Sequence, residues 1–217
     1  MTWKPYSLWS PNFDVVSGGI RVMYGLYAWL LAKGQTAFLN TAFENPEFIA
    51  IYPEIAHGNP FQAKTVVRYI LNRPGVMASN GVPGPSSFPD TDILYYFSEM
   101  FDTSRRLRGN TLFLPILNLH VFLDQEKNRT KTAYFVGKGV DKHKHPEDAI
   151  LIDRQFAQDQ QALANLLNEC EVLYSYDPVS AMTEIARLCG CRVVLVQDFF
   201  SRDEYKDYEP GDRKSVV

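Results

Sequence analysis

Apolar residues recur along the chain in short clusters separated by turn formers, and their spacings predict alternating strands and helices. Residues 5–9 predict a short first strand. A loop from Asn12 to Gly19 follows and closes on Ser17, Gly18 and Gly19. From Ile20 to Leu31, the residues Val22, Met23, Leu26, Trp29 and Leu30 fall at helical spacing, and Lys33-Gly34 supplies a stop. Thr36 to Leu39 and Phe48 to Tyr52 predict the next strands, the latter running into a Pro/Gly/Asn loop. Ala63, Val66, Val67, Ile70 and Leu71 then read as one side of a helix, with Lys64 and Arg68 as an i,i+4 basic pair on another. That helix would stop at Asn72-Arg73-Pro74-Gly75. Residues 79–90 predict a long loop, Asp92 to Phe97 a short aromatic strand, and Ser98 to Arg108 an irregular polar segment.

The second half opens, after short apolar runs at Leu112–Leu114 and His120–Leu123, on a strand from Thr132 to Val136. Gly137-Lys138-Gly139 follows it directly, then a polar, basic stretch through His145. Ala149 to Ile152 is a weak strand, Gln158 to Asn168 a helix carrying Leu163, Leu166 and Leu167, and Glu171 to Tyr174 a strand. Ser180 to Leu188 predicts a helix, and Arg192 to Val196 a buried strand. The tail from Arg202 is charged and shows no packing pattern. The alternation predicts an α/β protein of two units, residues 1–108 and 109–217.

Composition removes several classes. An apolar fraction of 46% with 22% charged residues and a net charge of −3 suits a folded chain, and matches neither a disordered acidic segment nor a basic nucleic-acid binder. Cys170, Cys189 and Cys191 have no C-x-x-C spacing, so reduced, buried thiols in a cytoplasmic protein are expected rather than a zinc site or a disulfide framework. The opening MTWKPYSLW is too short and polar for a signal peptide, and no run approaches the roughly 20 apolar residues of a membrane span. With 12 Tyr, 14 Phe and 3 Trp, peripheral contact with the inner face of a membrane stays open, the core being the plainer place for these rings.

Chemistry can gather at four places. Gly18 and Gly19, before the first helix, could admit a phosphate to free N–H groups; a tight turn is the plainer reading. Gly137-Lys138-Gly139 ends a strand, where Lys138 could neutralise a diphosphate leaving group with space left by the glycines. A surface turn carrying a lysine would look the same. In the run from Tyr174 to Val196, Asp177 lies in a polar loop, Ser180 could cap the next helix, and Glu184 sits near its first turns, where a carboxylate could accept both ribose hydroxyls. A solvated helix carboxylate is the competing reading for Glu184. Glu54 and His57 flank a strand-end loop and could be acid/base or sugar-hydroxyl partners. His143 and His145, among lysines and aspartates, read as a solvated loop, and no metal ligands are expected.

In combination and in order, SGGIRVMYGLYAWLLAKGQTAFL, YPEIAHGNPFQAKTVVRYILNRPG, DILYYFSEMFD, NTLFLPILNLHVFLD, YFVGKG and SYDPVSAMTEIARLCGCRVVLV resemble the blocks of nucleotide-sugar glycosyltransferases of the GT-B architecture, in particular family-4-like enzymes of bacterial polysaccharide assembly. The resemblance implies two Rossmann-like units facing across a cleft, the second abbreviated, with an acceptor-side first unit and a donor-binding second. It implies that Gly18 and Gly19 border the cleft, that Gly137, Lys138 and Gly139 meet the donor diphosphate, that Ser180 lies by the phosphates and that Glu184 takes the ribose hydroxyls. It implies metal-independent transfer, tilted towards retention, from a nucleotide sugar to a saccharide or lipid-linked acceptor, with no other cofactor; self-association stays open. The chain is shorter than full members, and Arg192 stands where the family commonly has proline. A catalytically incomplete nucleotide-sugar-binding or scaffold protein of the same fold is therefore the alternative. An epimerase or dehydrogenase would need a three-glycine turn that Ser17-Gly18-Gly19 does not provide.

Overall fold

The computed structural model describes residues 4–79, 81–102, 110–114, 117–177 and 179–196. The charged tail from Arg202, Pro178 and most of the 98–108 segment fall outside them. The chain divides into two compact units, Met1–Ile116 and Leu117–Val217.

In the first unit β1 (Tyr6–Leu8), α1 (Gly18–Ala32), β2 (Ala37–Leu39), β3 (Ile49–Pro53) and β4 (Thr65–Ile70) precede a small hairpin of β5 (Ala78–Ser79) and β6 (Val82–Pro83), and β7 (Ile93–Tyr96) follows. Five of these strands form one parallel sheet in the order β2-β1-β3-β4-β7. Alternation along β3 sends Ile51 to one face, with Leu8, Val22, Met23, Leu26 and Leu30 under α1. Ala50 and Tyr52 go to the other, where Phe48, Phe61 and Ala63 cover the sheet from loops. α1 starts because the Ser17 hydroxyl accepts the Ile20 N–H, and it stops at Gly34, whose φ of +73° a side chain would strain.

The helix expected over residues 63–71 is β4 instead. Thr65, Val66, Val67 and Ile70 are β-branched, and a parallel strand covered on both faces reads as a continuous apolar run without clean alternation. The expected Lys64–Arg68 surface pair is also corrected. Lys64 reaches Glu47 at 2.5 Å, whereas Arg68 is 1% exposed and donates from Nε to Asp92 at 2.7 Å. Its other nitrogens donate to the carbonyls of Ala56 and Gly58, and its guanidinium lies over the rings of Tyr52 and Phe88.

The second unit holds β8 (Lys131–Phe135), β9 (Ile150–Leu151), α2 (Gln160–Glu169), β10 (Cys170–Ser175), α3 (Ala181–Leu188) and β11 (Arg192–Leu195). Its four strands are parallel in the order β11-β10-β8-β9. α2 and α3 touch each other and both pack on β10. Asp159 caps α2 by accepting the Ala162 N–H, and Gly190, at φ +78°, closes α3. The buried Asn168 ties α2 to the segment ahead of β8, donating to the carbonyls of Leu123 and, within α2, Ala164 and accepting from the Gln125 N–H.

All three cysteines are reduced and buried. Burial pushes the thiols of Cys170 and Cys189 up to about 11 and that of Cys191 to about 12. Iodoacetamide at about pH 8 is therefore expected to leave the native chain unmodified and to label all three positions after urea unfolding, read by intact mass. A native-state adduct at any of them would contradict this packing.

Candidate strand-end site of the second unit

From β8 the chain passes to β9 on one side, then crosses back to β10 and β11 on the other. The strand order therefore splits between β8 and β10, and in open parallel sheets ligands bind beyond the carboxyl ends of strands at such a split. Gly137-Lys138-Gly139 leaves β8 at that point, and the loop through Asp177 to Ser180 leaves β10. Ser180 caps α3, its hydroxyl accepting the Met182 N–H at 3.2 Å, so the helix begins at the split. Glu184 lies in the first turns of α3, half-buried and already engaged with neighbouring groups.

Asp177 joins the two loops. Its buried carboxylate accepts the Lys138 N–H at 3.1 Å and the Val179 N–H at 3.1 Å, and pairs with the Lys138 ammonium at 2.7 Å. The Lys138 side chain, 30% exposed, also donates to the Val179 carbonyl at 2.9 Å. Its charge is thus met from within the chain. The glycines serve this closeness. A Cβ on Gly137, where φ is +55°, would stand 2.6 Å from the Asp177 side chain, and one on Gly139 would stand 2.0 Å from the Tyr176 carbonyl oxygen. A side chain at either glycine would run into the neighbouring loop.

The stretch beyond Gly139 is not the solvated loop expected at His145. His143 is 86% exposed, but the His145 side chain is only 8% exposed. The His145 ring stacks on Tyr134 with centroids 3.7 Å apart, and its Nδ1 lies 2.8 Å from the Tyr176 hydroxyl, which accepts the Lys144 N–H. Asp141, His143 and His145 bring one ligand atom each within 4.8 Å of one another, a metal-compatible group that sequence reasoning passed over. The Asp-x-His-x-His spacing was its visible signal.

The first unit has a split of its own between β1 and β3. Gly18 and Gly19 open α1 after β1, and Glu54 and His57 follow β3. Leu71 links them: a Cβ on Gly19 would meet its side chain at an ordinary 3.6 Å, and its N–H donates to the buried Glu54 carboxylate at 3.0 Å. The exposed His57 places Nε2 2.8 Å from the Pro83 carbonyl. Glu54 therefore secures the end of β4, and His57 holds the hairpin.

No helix among the described residues is long and apolar enough to cross a membrane. No family model matches the chain, and no curated protein matches it. Among solved structures it is similar to a functionally uncharacterised protein, KP1_0663, from Klebsiella pneumoniae subsp. pneumoniae NTUH-K2044, at 12% identity and a TM-score of 0.52 over 98% of this chain and 86% of that one. At that identity the likeness carries the fold alone: an α/β chain built on parallel sheets.

Proposed function

We propose that the second unit binds the nucleoside diphosphate of an activated sugar beyond β8 and β10, and that the chain transfers the sugar to an acceptor hydroxyl in polysaccharide or glycoconjugate assembly. One observation carries the reading: the loop at Gly137–Gly139 and the Ser180-capped start of α3 leave adjacent strands at the split in the sheet. A phosphate there meets backbone N–H groups at a helix start, and Glu184 on the same helix is the carboxylate for the ribose hydroxyls. In transfer, the acceptor oxygen bonds to the anomeric carbon as the bond to the diphosphate breaks. The nucleoside diphosphate leaves with that electron pair, and the acceptor proton passes to base or solvent. The reading takes the two units as the acceptor and donor halves of a GT-B pair.

The committed charge of Lys138 favours a second reading, a protein of the same fold that binds the nucleotide sugar without transferring it. In that case the lysine braces the loops and does not neutralise a leaving group.

The test is calorimetric titration with UDP, GDP, dTDP and their sugars, repeated on Glu184→Ala and Lys138→Ala. Binding of one nucleotide class, weakened about tenfold or more by Glu184→Ala, is expected from loss of charge-assisted hydrogen bonds of about 1.5–3 kcal/mol. No binding by folded protein would overturn the assignment. Binding without sugar release in a coupled transfer assay would select the second reading.

A further inference from the structure

We propose that Asp141, His143 and His145, between β8 and β9, form a site for a divalent transition metal of the zinc class. Asp141 stands between the two imidazoles, one carboxylate oxygen 3.8 Å from His143 Nδ1 and the other 3.8 Å from His145 Nδ1. Ligand atoms on tetrahedral zinc, with bonds of about 2.0–2.1 Å, stand about 3.3 Å apart, whereas one ligand atom from each of the three residues lies within 4.8 Å of the others, so the set must close by up to about 1.5 Å. The exposed His143 side chain can make that adjustment by rotation.

His145 needs no such freedom. The Tyr134 stack fixes its plane, and the Tyr176 hydroxyl, on Nδ1, serves as the outer-shell partner with the metal taken on Nε2. Two imidazoles and one carboxylate suit zinc and its neighbours better than magnesium or calcium, which favour all-oxygen sets. Three protein ligands leave a position open to water or an anion. A hydrogen-bonded turn, in which Asp141 accepts the His143 N–H at 2.8 Å, accounts for the backbone here but not for two rings converging on one carboxylate.

Metal uptake can be read without nucleotide, so this proposal stands apart from the donor-site reading. The whole chain, stripped by chelation, is titrated with zinc by calorimetry and with cobalt by visible absorption. His143→Ala and Asp141→Asn follow, with circular dichroism and thermal melting to show an intact fold. Uptake of one ion per chain with a tetrahedral cobalt spectrum is expected, weakened at least about tenfold in each variant, since removing even an outer-shell partner commonly costs 10–100-fold. Tyr176→Phe should weaken uptake by about tenfold while leaving the cobalt geometry tetrahedral. Wild-type protein that takes up neither metal, or variants within about threefold of wild type, would overturn the assignment.

Discussion

Arg68→Ala is expected to destabilise the first unit by about 3–5 kcal/mol, a large share of the 5–15 kcal/mol that holds a typical domain together. The residue lies inside β4 at 1% exposure. Its removal leaves the buried Asp92 carboxylate without its cation and the Ala56 and Gly58 carbonyls without donors. It also opens a void between the Tyr52 and Phe88 rings. The chain's three tryptophans, Trp3, Trp9 and Trp29, all fall within its first 29 residues, and Trp9 and Trp29 report on the first unit during urea unfolding through their fluorescence. The double variant Arg68→Met/Asp92→Leu should recover most of the loss, because it leaves no unpaired buried charge. A single-variant loss under about 1 kcal/mol, the range of an exposed pair, would show that the burial is wrong.

The second large effect is expected at Gly139. A Cβ there would stand 2.0 Å from the Tyr176 carbonyl oxygen and 2.6 Å from its carbon, both main-chain atoms that no rotamer change can move. Relief would require the ends of β8 and β10 to part, breaking the bonds of Lys138 to Asp177 and to the Val179 carbonyl. Gly139→Ala should cost about 3 kcal/mol, the upper end for overpacking. Gly19→Ala is the contrast, since its Cβ would make an ordinary contact at 3.6 Å inside α1. It should be neutral or stabilise by up to about 1 kcal/mol through helix propensity. Thermal melting of both variants decides the matter: a Gly139→Ala protein as stable as wild type would mean that the two loops are not packed as described.

These variants also show where sequence reasoning stops. Gly18, Gly19, Gly137 and Gly139 look alike as glycines in the loops that follow predicted strands. Which of them tolerates a side chain depends on what lies opposite, for Gly139 a carbonyl 37 residues away. Lys138 reads as a free cation until Asp177 is placed against it. Arg68 reads as a surface residue of a helix because its partner Asp92 is 24 residues distant and its strand is buried on both faces.

The sequence by itself determined the α/β class, the three helices with the Ser180 cap of the last, and the principal strands of the second unit. Those features are local: a cap reaches two or three residues, and helical spacing is complete within two turns. Only the tertiary structure decided that residues 65–70 are a strand, that β8 and β10 are neighbours, and that Asp177 fastens their loops together. It alone turned His145 inward onto Tyr134 and Tyr176. Strand order and burial come from contacts between distant segments, and neither periodicity nor residue type along a single stretch records them.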